Sequence, residues 1–302
     1  MHSLLIAGVH LSMWDKFGWG LGLRSIHFDE WHKEQRVPVI EIMTDNLIHH
    51  EGGPALWHTE QITKRASEVV LHGVGLNIGG SSPISTRYLR GLRSLIERFN
   101  PKVVSDHLSF TEFGGLQSYE LLPLERTTCT LEHVATRVDQ VQQFLGRQIS
   151  LENASAYVEY VNDSMPESEF MNQIVAKTGC GILLDVNNVY VNAFNFEKDP
   201  LASALSYDPA AIVQLHIAGH SVKADFLFDT HDSTVSAPVW NLLKDTLYHL
   251  VQNGKTMVPV ILENDCPNTN LKALLTELTS AKKRLELRDE SHSFPQGEKD
   301  DA

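Results

Sequence analysis

The sequence predicts a single α/β domain, a closed (β/α)8 barrel, on three observations. Eight short apolar segments recur along the chain, segments of helical periodicity separate them, and polar residues interrupt the apolar segments near their C-terminal ends. Strands buried on both faces and alternating with helices imply a parallel sheet, because each parallel crossover lays a helix against it. At 302 residues the chain has room for one such barrel, which takes about 250.

The expected strands are, in order, Gly20–Arg24, Val39–Met43, Val69–Leu76, Val103–His107, Gln148–Asn153, Gly181–Val186, Ile212–Gly219 and Val258–Asn264. Helices are expected over Gly53–Ser67, Ile84–Phe99, Glu125–Leu145, Glu167–Thr178, Pro238–Gln252 and Asn268–Leu285. Ser82-Pro83 reads as an N-cap followed by proline at the first helical position, and Pro166 with Glu167 and Glu169 gives a first turn that suits the helix dipole. Gly179 after Lys177 is a C-terminal stop. These limits predict an N-terminal extension over 1–19, the barrel over 20–285 and a disordered tail over 286–302.

Composition narrows the function classes. Hydrophobic residues make up 42% and charged residues 21%, an ordinary globular balance. The formal charge of −13 argues against nucleic acid and anionic membrane as partners. No run of 18 apolar residues and no signal-peptide pattern occurs, so a cytoplasmic location is expected. Cys129, Cys180 and Cys266 are odd in number and widely spaced, which predicts buried free thiols rather than disulfides or a thiolate zinc site.

Chemistry in such a barrel sits at the C-terminal ends of the strands, so what each strand ends on is the test. His72, Asp106-His107, Glu152-Asn153, Asp185 with Asn188, His216 and Glu263 fall at six successive strand ends, and the segment after the seventh strand adds His220, Asp229 and His231. One histidine in an apolar strand is usually a hydrogen-bonded core residue, and one buried acid is usually an ion-pair partner. Here Glu41, Asp106, Glu152, Asp185 and Glu263 face a single strand-end cation, Arg24. An unpaired buried carboxylate costs several kcal/mol, so metal ions are the natural counter-charge. Imidazole with carboxylate suits iron, zinc or manganese, and a carboxylate can bridge two ions. Alternation along an extended segment would put Asp229 and His231 on one face, able to chelate one ion. The spacing of Asp185 and Asn188 lets a strand-end acid and an amide in the following turn reach adjacent ions.

Other residues have plainer readings. His49 and His50 sit in a polar loop, and His2, His10, His58 and His292 look peripheral. "GVGLNIGG" from Gly73 has neither a dinucleotide fingerprint nor a P-loop lysine, so close backbone approach is its expected use. Trp14, Phe17 and Trp19 either plug the barrel bottom or form a partner surface. Asn187 is expected to hydrogen-bond a ligand from behind.

"GLGLR", "EIMTDN", "LHGVGLNIG", "VSDHLSF", "LENASAY", "TGCGILLDVNNVYVNAFN", "LHIAGH", "DTHD" and "VILEND" together resemble the DUF692 family, the multinuclear non-haem iron-dependent oxidases typified by methanobactin biosynthesis. The likeness runs from Gly20 to about Ala281, and its members resemble xylose isomerase-like TIM barrels, whose relatives include apurinic endonucleases. The resemblance implies that His72, His107 and Glu152 hold one ion and that Glu152 bridges to a second held by Asp185, His216 and Glu263. Asn188, Asp229 and His231 would hold a third, with Asn188 standing where the endonucleases have histidine. Glu152, Asp185 and His216 are then the expected catalytic residues, and Arg24, Asn46 and His220 the expected substrate-binding ones. Met43 and Asp45 depart from the family's usual His and Glu, so substrate contacts near the second strand are expected to differ.

By the same resemblance the cofactor is two or three non-haem iron ions, with zinc or manganese as alternatives. The expected reaction is the dioxygen-dependent modification of cysteine in a ribosomally synthesised peptide that a separate partner protein presents. Two rivals are a di- or trinuclear metal-dependent hydrolase of phosphodiesterase or endonuclease type and a non-enzymatic metal-binding module. The negative charge weighs against a DNA substrate, which needs phosphate-facing Lys and Arg.

Overall fold

The computed structural model describes residues 12, 14–35 and 37–286. The N-terminal extension is therefore described only at Ser12 and from Trp14 onward. The tail beyond 286, with His2, His10 and His292, lies outside the described residues.

The first four barrel strands are β1 (Gly18–Gly22), β2 (Val39–Met43), β3 (Val69–Gly73) and β4 (Val104–His107). An antiparallel hairpin of β5 (Phe110–Phe113) and β6 (Leu116–Leu122) follows, then barrel strands β7 (Ser150–Glu152), β8 (Gly181–Asp185) and β9 (Ile212–Ile217). A second hairpin, β10 (Ser221–Lys223) with β11 (Phe226–Phe228), precedes the closing strand β12 (Pro259–Leu262). The eight barrel strands are parallel and close in the order β1-β12-β9-β8-β7-β4-β3-β2, so the predicted (β/α)8 barrel is what the chain forms.

Helices α1 (Phe28–Trp31), α2 (Pro54–Thr63), α3 (Thr86–Phe99), α4 (Thr128–Leu145), α5 (Glu167–Thr178), α6 (Val186–Asn195), α7 (Pro200–Leu205), α8 (Ala237–Gln252) and α9 (Leu271–Glu286) lie between and after the strands. Their apolar faces, such as Leu89, Leu92 and Leu95 of α3 and Val134, Val138 and Val141 of α4, join one continuous core with the outward faces of the strands. All five residues of β8 are buried, as a strand covered on both faces requires. Each such aliphatic side chain contributes about 1.5–3 kcal/mol by leaving water. Trp19 lies within β1, stacked on Trp14 with ring centroids 3.8 Å apart, and Phe17 and Trp19 belong to the core, which decides between the two readings of that cluster.

Several local expectations are corrected. β1 starts at Gly18, two residues before the expected strand. The cap of α3 is Ser85, whose hydroxyl accepts the amide of Tyr88 at 3.2 Å; Ser82-Pro83 precedes the helix in irregular chain. α4 begins at Thr128, capped by Thr127, rather than at the expected Glu125. Helix α6 stands where only a turn was expected, because the Asp185 carboxylate accepts the Asn188 amide and caps the segment. The thiols are free, but Cys180 alone is buried; Cys129 is exposed and Cys266 is intermediate. Gly179 caps α5 in the left-handed conformation, as read from the sequence. No helix among the described residues is long and apolar enough to cross a membrane.

Candidate metal centre

Strand register assembles the site. In β4 and β7, His107 stands opposite Glu152, and in β8 and β9, Asp185 stands opposite His216. Glu263 follows β12, its amide donating to the Ile217 carbonyl at 2.9 Å, and His72 occupies β3 beside Met43 of β2. Neighbouring side chains of a parallel barrel that point inward share the interior, so these residues converge just inside the mouth.

Two groups of potential ligand atoms result: His72, His107 and Glu152, and then Glu152, Asp185, His216 and Glu263, the atoms of each group lying within 4.8 Å of one another. Glu152 belongs to both. Its Oε2 lies 3.0 Å from His72 Nε2 and 3.1 Å from His107 Nε2, while its Oε1 lies 3.2 Å from His216 Nδ1, which is 3.1 Å from Glu263 Oε2. His72, Glu152, Asp185 and His216 are at most 1% exposed.

The far side of each imidazole fixes what the near side offers. His107 Nδ1 lies 3.0 Å from the Gly73 carbonyl, which can only accept, so the proton sits there. Ser105 Oγ donates to the Leu71 carbonyl at 3.2 Å and therefore accepts from His72 Nδ1 at 2.9 Å. Glu41 Oε2 accepts from His216 Nε2 at 2.7 Å. In the neutral rings, His72 Nε2, His107 Nε2 and His216 Nδ1 are then lone pairs aimed at carboxylate oxygens. Glu152 Oε2, Asp185 Oδ2 and His216 Nδ1 are buried and make no hydrogen bond despite these short separations. Lone pairs facing carboxylates at about 3 Å repel unless a cation lies between them. The donor set therefore fits two ions that share Glu152, and mixed imidazole and carboxylate donors suit a first-row transition metal.

Protons play the cation's part in the metal-free chain. Burial disfavours a charged His72, but Glu152 outweighs it and raises the imidazole to about 9. His216 is likewise raised against its burial by Glu263, Glu41 and Glu152. His107, buried beside His72, is lowered. Burial opposes the ionised forms of Glu152 and Glu263, yet the surrounding histidines hold both below the usual carboxylate range. Asp185 is driven well above that range by burial and by the charges of Glu152 and Asp229.

Asp229 and His231 stand beside these groups. His231 Nε2 lies 2.7 Å from Asp229 Oδ1, and His231 Nδ1 lies 3.6 Å from Glu263 Oε2. The sequence put them together by alternation along an extended segment; instead residues 229–231 follow β11 in irregular chain, and His231 adopts a left-handed φ of 50°. That conformation costs about 1–3 kcal/mol and is held by the His231 amide donating to Gly219 and its carbonyl accepting from Asp265. Asn188 sits in the first turn of α6, not in a loop; its Nδ2 donates to the Asn153 carbonyl at 3.0 Å, and its Oδ1 is buried without a partner. Asn187 donates to Asp229 at 2.7 Å and accepts from His220 Nδ1 at 2.8 Å, so it links those two residues.

Of the three residues expected to hold substrate, Arg24 pairs with Asp265 at 2.8 Å, and its buried Nη1 has no hydrogen-bond partner. His220 is half-buried and stacks on Tyr190. Asn46 is exposed on the short turn after β2. Asp45, the other departure near that strand, accepts from the Val74 amide and the Tyr88 hydroxyl. The glycines of "GVGLNIGG" serve this packing: a Cβ at Gly73 would lie 2.7 Å from Asp106 Oδ2 and from Thr44 Oγ1. Sequence reasoning passed over Ser105 and Gln214 and saw Glu41 only as one more acid. The signal for Gln214 was its place two residues before His216, on the same face of one strand.

Fold and site define a class: a (β/α)8 barrel with buried histidines and carboxylates, arranged as metal ligands, at the C-terminal ends of its strands. The family model for the RiPP precursor modification enzymes MbnB/TglH/ChrH matches residues 18–286, and the chain belongs to that family. A UPF0276 protein from Anaeromyxobacter sp. (strain Fw109-5) is 44% identical over 232 residues, 76% of this chain and 81% of its own length. Another from Acaryochloris marina is 37% identical over 265 residues, 87% of this chain and 93% of its own. Among solved structures, the 3-keto-D-glucoside 4-epimerase YcjR from E. coli superposes with a TM-score of 0.59 at 13% identity, over 89% of this chain and 100% of that one. An L-ribulose 3-epimerase gives 0.57 at 12%, over 92% and 99%. At such identities the likeness is one of fold, that of the xylose isomerase-like TIM barrels.

Proposed function

We propose that the protein is a multinuclear non-haem iron-dependent oxidase that uses dioxygen to modify cysteine in a ribosomally synthesised peptide, presented by a separate partner protein. The observation that carries this reading is the double use of Glu152, whose two oxygens face different histidines within two overlapping ligand groups. Bound iron would supply the capacity to exchange electrons with dioxygen, which the chain's own side chains lack. His72, His107 and Glu152 would hold one ion and Glu152, Asp185, His216 and Glu263 the second; Asn188 Oδ1 with Asp229 and His231 would hold a third. Family membership supports the peptide substrate.

The protein's part beyond ligation is to bind and orient. Arg24, whose side chain is 19% exposed and paired with Asp265, would offer its guanidinium to a carbonyl or carboxylate of the peptide. His220, with Nδ1 committed to Asn187 and its imidazole lowered by burial, presents a neutral ring to substrate. Exposed Asn46 offers an amide after β2, the strand beside β1. The barrel wall keeps the ligand atoms out of bulk water, where Glu152 and Asp185 would otherwise be hydrated.

The experiment loads the metal-free chain with Fe²⁺ under anaerobic conditions and then admits dioxygen with cysteine-containing peptides. Dioxygen uptake that depends on the peptide, with a mass change confined to cysteine, is expected. Phosphodiester hydrolysis by the zinc-loaded chain, without peptide-dependent uptake by the iron-loaded one, would replace the oxidase with the hydrolase.

A further inference from the structure

Glu41 is buried in β2, 1% exposed, and pairs with the side chain of a potential metal ligand, His216. Its Oε2 also accepts from Gln214 Nε2 at 2.6 Å, and that nitrogen lies 2.9 Å from His216 Nε2. Glu41 Oε1 and Gln214 Oε1 are both buried without a hydrogen-bond partner. Among the described residues the ion pair that Glu41 makes is with His216. A carboxylate in this position costs more than the valine or isoleucine that surrounds it in "VIEIM" would.

The three imidazoles differ in what holds their outer nitrogen. His107 has a backbone carbonyl and His72 a serine hydroxyl, both neutral, whereas His216 has a carboxylate. An acceptor of that kind fixes the ring with its proton on Nε2, leaves Nδ1 as the donor toward Glu152 and Glu263, and makes that donor more basic. With Glu41, four buried carboxylates stand in or against the ligand group of His216, the others being Glu152, Asp185 and Glu263.

We propose that Glu41, braced by Gln214, is a positioning residue that sets the tautomer of His216 and makes the position formed by Glu152, Asp185, His216 and Glu263 the tighter of the two. The inference rests on the two-ion reading of the site but not on the oxidase chemistry. Glu41 touches neither ion nor substrate and acts through His216.

The test titrates Co²⁺ into the full chain after chelation, following heat and the cobalt d–d absorption, in the wild type, E41Q, E41L and the exchange variant E41Q/Q214E. At least two binding events are expected for the wild type, the tightest at the group that includes His216. E41L should weaken the tighter event about 10- to 100-fold and leave the weaker one within about threefold. E41Q keeps the shape and an oxygen acceptor, so it should stay folded in a chelator-treated thermal melt, show an intermediate loss and shift the cobalt bands. The exchange variant returns a carboxylate to His216 Nε2 from the Gln214 side and should recover most of that loss. Nitrogen NMR of labelled histidine in the zinc-loaded chain should show His216 with its proton on Nε2 in the wild type and the loss of that state in E41L.

Wild-type affinity in E41Q and in whichever of the other variants folds would overturn the proposal. A loss in E41Q that the exchange variant does not reduce would also overturn it, since the charge would then not be the cause. Glu41-dependent cobalt binding in a chain that, loaded with iron, oxidises no peptide would sink the oxidase and leave this inference standing.

Discussion

Glu152 Oε1 lies 3.2 Å from His216 Nδ1, a nitrogen that is buried and makes no hydrogen bond, while the other oxygen of the same carboxylate faces His72 and His107. One side chain thus serves both ligand groups. Glu152→Gln replaces an anionic bridge with an amide of the same shape, and both positions should lose metal together, by about 10-fold or more in affinity. Inductively coupled plasma mass spectrometry on the gel-filtered variant reads the outcome. Retention of the wild-type metal content would remove the bridge.

Asp185 has two separable jobs. Its Oδ1 caps α6 by accepting the Asn188 amide at 2.7 Å, and its Oδ2 is buried without a partner. Asp185→Asn keeps a capping oxygen and should melt within a few degrees of the wild type in chelator, yet bind one ion fewer. Asp185→Ala loses the cap as well, at about 1 kcal/mol. Equal melting temperatures for the two variants without metal would show that the cap contributes nothing.

The metal-free protein should be weakened by alkali. The folded-state value of His72 is raised from 6.5 to about 9, so its stabilising proton is fully bound below about pH 6.5 and is lost as the pH rises through about 9. His216 and Asp185 are raised too, and each contributes in the same direction. Glu152 and Glu263 are lowered, so their contribution is present above the ordinary carboxylate range and fades as the pH falls below it. Thermal melts in chelator should therefore peak in mildly acidic buffer and fall toward pH 9. Bound metal replaces those protons and should flatten the alkaline limb. A limb unchanged by metal would show that these groups do not control it.

Gly219 lets the chain carrying Asp229 and His231 fold back against the barrel. A Cβ at Gly219 would lie 2.1 Å from the Ser233 carbonyl oxygen, a backbone atom that cannot step aside. Gly219→Ala should cost about 1–3 kcal/mol by overpacking and separate the Asp229–His231 pair from Glu263. Denaturant unfolding measures the first effect and a crystal structure of the variant the second.

Much of this was legible in the chain. Barrel strands such as Val39–Met43 and helices such as Glu167–Thr178 stand where the periodicity put them, because apolar runs and helix stops are local signals. The convergence of His72, His107, Glu152, Asp185, His216 and Glu263 was legible too, since strand ends in a parallel barrel share one mouth. Helix α6 was not: Val186, Val189 and Val191 favour strand, and the residue that caps the helix, Asp185, was read as part of the strand before it. Nor was the left-handed turn at His231, which is held by the Gly219 carbonyl and the Asp265 amide, both distant in sequence. Glu41 and Gln214 were hidden for a related reason, as their meaning lies in a contact 173 residues apart.

A coupled pair of irons sharing Glu152 has a direct signature in Mössbauer spectroscopy on the full chain reconstituted with ⁵⁷Fe under anaerobic conditions, and again after brief exposure to air. At least two iron environments are expected, antiferromagnetically coupled in the oxidised form. A single magnetically isolated iron, or iron that fails to displace tightly held zinc, would contradict the pair.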